Sequence, residues 1–516
     1  MDAPIRRLIY TLLIIISAGL MLGRIIAVNR TDTILIQKNR MDQIPKQLAD
    51  KEKRLRDAGI SEEDLHAELE ITKEKLRNDA QFELPFFSAN DRSRWCTIRA
   101  LVEPDKRVQR TINERTETVW YAIDKVQTLR GWDTIDMVKH DLPDQPGVGL
   151  QPDGGYLYSS KPPLLPTLMA IPYAILYRVS AGKLSLTEEP FLVVRVTLIV
   201  CNLLPLVLCW FLLSRLIDRF GTTDWGRIFC VAFLCFGTFI STFAVTLNNH
   251  LPAVVSVTVG FYCAVRIVYD HETRRRYFVL AGAFSAFAVA CEMPALLFCV
   301  LIGLWLLCYQ WKRTLLLFVP AAMIVAGAFF TTNYIAHKTL MPAYSQPDWY
   351  LFDYERGGRI LESHWKNPKD LDVGEPNRAT YIFHTTIGHH GLFSLTPVLA
   401  LSFMGLGMWL FDRRYRDMAA MILFTSIVVF LFYILLKQEL RNYGGNTSAL
   451  RWLFWLIPLW SVSLIAAADW FSRNGFLRAI ALACLFISAM SAAYPTWNPW
   501  TMPWTHQLLQ YISNCK

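Results

Sequence analysis

The chain alternates long apolar runs with short polar breaks. Apolar runs lie near residues 8–28, 190–214, 226–247, 251–269, 277–291, 294–309, 314–335, 392–411, 418–436, 450–470 and 476–494. A helix needs about 20 such residues to cross roughly 30 Å of hydrocarbon. The pattern predicts an all-α polytopic membrane protein with about eleven transmembrane helices. A further run, 162–181, opens with Pro162 and Pro163 and must be placed separately. Two segments, 29–189 and roughly 336–391, are too polar to span. Loops of that length in a compact protein are usually functional.

Charge gives the orientation. Suppose 162–181 does not span. The breaks holding Arg215, Arg219 and Arg227, then Arg274 to Arg276, Lys312 and Arg313, Arg413, Arg414 and Arg416, and Arg473 and Arg478 then all face the cytoplasm, as the positive-inside rule requires. If it does span, the triple-arginine turn falls outside. The run 162–181 therefore reads as an apolar helix at the outer interface, with the N-terminus cytoplasmic and the C-terminus outside. The first run follows Arg6 and Arg7 and is longer than the core of a cleavable signal, so it reads as a retained span. The turns at Asn248–His250, Glu292–Pro294 and 437–449 then share the outer side with both long loops.

The expected organisation is a first transmembrane helix (1–28) and a charged external helical insert (29–84). A juxtamembrane region with the active site (85–189) follows, then transmembrane helices two to seven (190–335). A second external loop (336–391), helices eight to eleven (392–494) and an external tail (495–516) complete the chain. Within the insert, Ser61 followed by Glu62, Glu63 and Asp64 reads as a helix start with a capping box. The densely charged stretch 40–80 predicts a helical hairpin.

Composition sharpens this picture. Only 18% of residues are charged against 53% hydrophobic, with mean hydropathy +0.27, where a soluble domain carries about 25% charged residues. Seventeen tryptophans suit a protein with many water–lipid boundaries. The net charge of +9 fits the cytoplasmic bias. No basic stripe is interleaved with aromatics, so nucleic acid is not an expected partner. Eleven cysteines exclude complete pairing, and most sit in apolar runs, where Cys behaves as a small hydrophobe. Cys96 and Cys515 fall in external segments, and the sequence does not pair them.

Four groups of residues could carry chemistry. Asp91, in Asn90-Asp91-Arg92-Ser93-Arg94-Trp95, could act as a general base near the membrane or cap a helix. Lys161, in Ser160-Lys161-Pro162-Pro163-Leu164-Leu165, opens the interfacial helix and could form an anion site with its N-terminus. Arg441-Asn442-Tyr443-Gly444-Gly445, leading to Arg451-Trp452, and Arg195 place ionisable groups at the edge of the hydrocarbon, where they are functional candidates. His389 and His390 could contact a metal, but no third ligand is evident. Asn249 and His250 form an outer turn that could reach a sugar or phosphate. These polar residues gather on one side, and no internal domain is large enough for a nucleotide-sugar site.

These motifs, in this order relative to the spans, resemble the GT-C superfamily of polyprenyl-phosphate-sugar-dependent transferases. The similar branch holds the protein O-mannosyltransferases and the lipid A aminoarabinose transferase. The match runs from Asp91 to about residue 470. The resemblance implies an inverting transfer of a sugar from a polyprenyl-phosphate donor to an acceptor hydroxyl at the outer face. It implies Asp91 as base and Lys161 and Arg451 on the donor phosphate. Arg94, Asp133, Asp136, Asn249, His250, His389, His390, Arg441, Asn442 and Tyr443 are accessory candidates. The family often has a second acidic residue after the first, where this chain has Arg92. Either Asp91 acts alone, or Asp124, Asp133 or Asp136 supplies the second charge. No cofactor is implied, and a divalent cation, which paired carboxylates would hold, has no support in the sequence. The implied partners are the lipid-linked sugar, membrane lipid, and an acceptor protein, lipid or glycan. The implied location is a bacterial inner membrane. Two other readings fit many spans with few polar residues: a transporter or flippase, which normally shows internal repeats and midplane charges, and a non-catalytic scaffold docking through 40–80.

Overall fold

The computed structural model describes residues 2–27, 34–80, 85–495 and 498–514. Cys515 lies outside them, as do residues 28–33 and 81–84 at the expected segment boundaries.

The first helix, α1 (Ala3–Ile26), starts with Pro in its first turn, where no amide partner is lost. Next comes a helical hairpin, α2 (Ile34–Asp57) and α3 (Glu62–Ala80). Ser61 Oγ accepts the Asp64 amide at 3.2 Å, and Lys51 bridges to Glu68 at 2.7 Å. A buried helix follows, α4 (Ala89–Val102). Then come two small antiparallel hairpins, β1 (Val108–Ile112) with β2 (Arg115–Val119), and β3 (Met137–His140) with β4 (Tyr156–Ser159). The run read as interfacial forms α5 (Leu164–Val179). Its residues Leu168, Ile171, Ile175 and Val179 recur at helical spacing and lie exposed, an apolar stripe with no protein against it.

Ten further helices build the membrane bundle. They are α6 (Pro190–Phe220), α7 (Asp224–Phe236), α8 (His250–Tyr269), α9 (Arg275–Cys291), α10 (Leu296–Arg313), α11 (Val319–His337), α12 (Val398–Phe411), α13 (Arg416–Ile434), α14 (Ile457–Phe471) and α15 (Gly475–Ala493). Strands β5 (Asp353–Arg356) and β6 (Arg359–Glu362) lie between α11 and α12. Among the described residues, seven helical stretches are long and apolar enough to cross a membrane. The chain is a helical, polytopic membrane protein. Three short hairpins, invisible to the hydropathy pattern, sit in its two long polar segments.

Two apolar runs depart from simple spans. The stretch Met293–His337 is continuous by hydrogen bonding, but Gln310 breaks it with φ −147° and ψ 65°. Phe318 packs its ring beside Gly303, 3.2 Å from where a Cβ would stand. Fifteen residues of straight helix would separate them by about 22 Å, so the chain doubles back between α10 and α11. The run 226–247 is helical only to Phe236, because a turn at Thr242–Val245 interrupts it. Its carbonyls are satisfied from the side. Asn202, in a π-turn of α6, donates to the Ala244 and Thr246 carbonyls at 3.0 Å each. Asn248 donates to Phe243 and Thr246 at 3.1 and 2.8 Å. Buried backbone requires such partners.

The helix α8 and the stretch Arg451–Phe471 are enclosed on nearly all sides, with 83% and 89% of their cores buried against 22–44% for the other five. They form the centre of the bundle. The basic breaks gather at one end: Arg6 pairs with Asp218 and Asp224, Arg219 with Asp270, Arg313 reaches the Thr273 carbonyl, and Asp469 accepts both amides and both hydroxyls of Thr222 and Thr223.

Candidate active site

At the opposite end of α8, three distant parts of the chain meet. Ser88 starts α4 by accepting the Asp91 amide at 3.1 Å, the usual Ser cap. One turn on, Ser93 ties the helix to the β3–β4 hairpin. Its hydroxyl lies 2.6 Å from both the Asp136 carbonyl and Ser159 Oγ. The hairpin thereby delivers Lys161, whose Nζ pairs with Asp136 Oδ1 at 3.0 Å. Arg94 reaches Asn249 Oδ1 at 2.5 Å and also holds Asn90. Arg451 arrives from the other side. Its Nε donates to the Gly444 carbonyl at 2.9 Å, and its guanidinium lies over Trp500, 4.8 Å from the ring centroid. Gly444 takes φ +93°, a conformation that a Cβ disfavours, which turns its carbonyl towards Arg451.

These residues surround a cavity of about 330 Å³. Arg94, Lys161, Arg451, Asn249 and His250 line it, together with Tyr433 and Trp452. Those two rings stack at 5.0 Å and 12°, giving a flat apolar face.

One further lining residue was not anticipated. Glu292, in the turn after α9, accepts Asn249 Nδ2 at 2.7 Å and pairs with His250 Nδ1. His250 Nε2 faces Arg451 Nη1 at 2.9 Å. Arginine can only donate, so His250 accepts at Nε2 and gives its Nδ1 proton to Glu292. In the sequence, Glu292 was one polar residue in a short turn. The available signal was a carboxylate at the end of an apolar helix, on the same side as His250.

The electrostatics favour an anion. Burial pushes the Glu292 carboxyl up to about 8, against the opposing pull of Arg451 and Arg94. Burial also lowers Arg94, to about 10, and Lys161. Burial alone would raise Asp136, but Lys161, Arg451 and Arg94 more than offset it and hold it below the usual carboxylate range. Arg94, Lys161 and Arg451 give three positive charges. Asp136 gives one negative charge, and Glu292, largely protonated at neutral pH, gives little. The excess is about two positive charges.

Asp91 does not line this cavity. It is 1% exposed, and its carboxylate accepts the Phe87 amide at 3.3 Å and the Leu247 amide at 3.2 Å. It thus joins α4 to the turn that carries Asn249 and His250. Burial raises it to about 6. Arg92 turns away and holds Asp133, which also meets Arg356 at 3.2 Å, and neither lines the cavity. Asp124 accepts Gln151 Nε2 and the Leu157 amide and does not line the cavity either. His389 and His390 pack with His384 and Tyr443, apart from the cavity. Burial lowers His389 to about 3. Asn442 holds Asp372 at 3.1 Å, and Arg441 is buried with its carbonyl on the Glu375 amide. Among the described residues, no group of three His, Cys, Asp or Glu side chains could hold a metal ion. Cys96 is a buried free thiol.

No family model matches the chain, and no curated protein sequence does. Among solved structures it is similar to ArnT from Cupriavidus metallidurans in the apo state, with 11% identity and a TM-score of 0.39 over 66% of this chain and 65% of that one. It is also similar to the Archaeoglobus fulgidus oligosaccharyltransferase in the apo form, with 12% identity and a TM-score of 0.37 over 80% of this chain and 51% of that one. A third is the A. fulgidus oligosaccharyltransferase AglB in complex with an inhibitory peptide and a dolichol-phosphate, with 14% identity and a TM-score of 0.32 over 66% and 47%. These neighbours are GT-C glycosyltransferases. The chain spans 47–65% of their lengths.

Proposed function

We propose that this protein is a glycosyltransferase that moves a sugar from a polyprenyl-phosphate donor to an acceptor hydroxyl at the outer face of its membrane. The observation that carries the proposal is the convergence of Arg94, Lys161 and Arg451 on one cavity. They come from three remote segments, and two of them, Arg94 and Arg451, are held by neutral groups. Such preorganised cations stabilise charge as it develops on a leaving phosphate. The donor's tail would lie in lipid and its phosphate between Lys161 and Arg451. The acceptor oxygen attacks the anomeric carbon from the face opposite the phosphate. The new carbon–oxygen bond forms as the sugar–phosphate bond breaks, with inversion. The acceptor's proton passes to a carboxylate.

The resemblance assigns that proton to Asp91. A second assignment has an observation in its favour: Glu292 lines the cavity and Asp91 does not. In that case Asp91 positions the Asn249–His250 turn. The charge pattern supports an outward active site, and the family resemblance supports a bacterial inner membrane.

The test is binding of polyprenyl monophosphate to the purified protein in detergent, with Lys161→Ala and Arg451→Ala beside wild type. Saturable binding, weakened at least tenfold by each change, about 1.4 kcal/mol, supports the donor assignment. Binding that is absent, or indifferent to both residues, overturns it and brings forward the transporter and scaffold readings.

A further inference from the structure

The far end of α8 holds a second, larger cavity, of about 550 Å³. From His250 to Arg266 the helix rises about 24 Å, close to the thickness of the hydrocarbon core. Arg7, Arg215, Arg219 and Arg266 line this cavity, with Asp218 and Asp270 as its carboxylates. Four positive charges against two negative leave an excess of about two.

The two carboxylates are already engaged. Asp270 holds Arg219 at 2.6 Å and Arg266 at 2.9 Å. Asp218 Oδ1 accepts Arg6 at 2.8 Å and the Tyr10 hydroxyl at 3.3 Å. Arg7 lies 4.0 Å from Asp218 with its side chain 73% exposed, and Arg215 is exposed too. The exposed guanidinium groups of Arg7 and Arg215 at this cationic void suit an anion with several acceptor oxygens.

The approach to the void is apolar. On α6, Leu204, Leu208 and Phe211 are exposed at spacings of four and three, and Arg215 follows four residues on. They share one face, an apolar track ending in a cation. On α1, Leu8, Leu12 and Ile15 are also exposed. A soluble anion has no use for such a track, whereas a lipid tail does.

We propose that this cavity binds the phosphate headgroup of an anionic phospholipid, whose acyl chain lies along the exposed face of α6. Basic pockets between membrane helices recognise headgroups in this way. The site is separate from the transfer chemistry and stands whether or not that reading holds.

The test uses the full-length protein in detergent, with bound lipid counted by native mass spectrometry. Phosphatidylglycerol, phosphatidylcholine, polyprenyl monophosphate and inorganic phosphate are compared. Wild type should retain phosphatidylglycerol over phosphatidylcholine. Arg7→Glu/Arg215→Glu should weaken that retention at least tenfold, and Lys161→Ala should leave it unchanged. Leu208→Asn, which alters the track without touching charge, should weaken it about threefold and serves if the double variant does not fold. Retention unchanged in these α1 and α6 variants overturns the site. Loss in Lys161→Ala places the headgroup in the other cavity and overturns it as well. Inorganic phosphate competing as well as the lipid would make it a soluble-anion site. Polyprenyl monophosphate displacing the phospholipid in both wild type and Lys161→Ala would overturn the assignment to phospholipid.

Discussion

The cavities at the two ends of α8 hold similar charges in different ways. In the cavity read as the active site, Arg94 is bonded to two asparagines and Arg451 to a carbonyl and a neutral imidazole. Only Lys161 has a close carboxylate partner. At the other end, Arg6, Arg219 and Arg266 each meet a carboxylate within 3 Å. Taking a charge out of water is expensive, and a carboxylate partner is the usual compensation. Where neutral acceptors hold the cation instead, its charge remains available to a ligand. The first arrangement suits binding of an incoming anion. The second suits fastening helices together, with Arg7 and Arg215 left over at its mouth.

The largest effect that sharpens this contrast is reversal of a ligand-facing charge. Lys161→Glu puts a second carboxylate beside Asp136 and should abolish donor use, at least 100-fold, while thermal unfolding stays near wild type. Full transfer activity in that variant would sink the phosphate assignment. Next comes the carboxylate that takes the proton. Loss of a general base costs about 10² to 10⁴ in rate. Glu292→Gln should lose that much turnover and keep donor binding if Glu292 is the base. The base must be deprotonated to act. Transfer should then rise with pH through about 8 for Glu292, or through about 6 for Asp91, in line with their burial. A profile that rises through 6, with Asp91→Asn inactive and Glu292→Gln active, restores Asp91 to the chemistry.

At the fastening end, Arg219→Ala strips Asp270 of one partner and exposes the Tyr269 carbonyl. It should cost about 1–3 kcal/mol of stability, read as a lower unfolding temperature, with turnover per folded molecule unchanged. A fall in turnover without a fall in stability would break the division of labour between the two ends. The smallest effect belongs to Gly444→Ala. At φ +93° the added Cβ should cost about 1 kcal/mol and displace the carbonyl that orients Arg451. The expected result is a KM for donor raised a few-fold with kcat nearly kept.

Much of the cavity was legible in the sequence because charge at the edge of an apolar run is conspicuous. Lys161 before Pro162, Arg451 at the start of a span, and Asn249 and His250 in an outer turn were all visible this way, and the fold brings them together. Arg94 came with the motif around Asp91. What could not be read was side-chain direction. Asp91 and Arg94 are neighbours on one helix, yet one faces backbone amides and the other the cavity. Asn442 and Tyr443 lie within ten residues of Arg451, but their side chains meet Asp372 and Glu375. The hairpins escaped notice because strands of four or five residues barely register beside runs of twenty. Glu292 escaped because hydropathy treats it as a break in the pattern.

The two central helical stretches are also the least apolar of the seven. They can afford His250, Ser256, Thr258 and Asp469 because protein, not lipid, surrounds them. During synthesis this order matters. The segment His250–Tyr269 leaves the ribosome before Arg451–Phe471 exists, so for a time it lacks part of the company that makes its composition tolerable. Its entry into the bilayer then leans on α6, already inserted and more apolar.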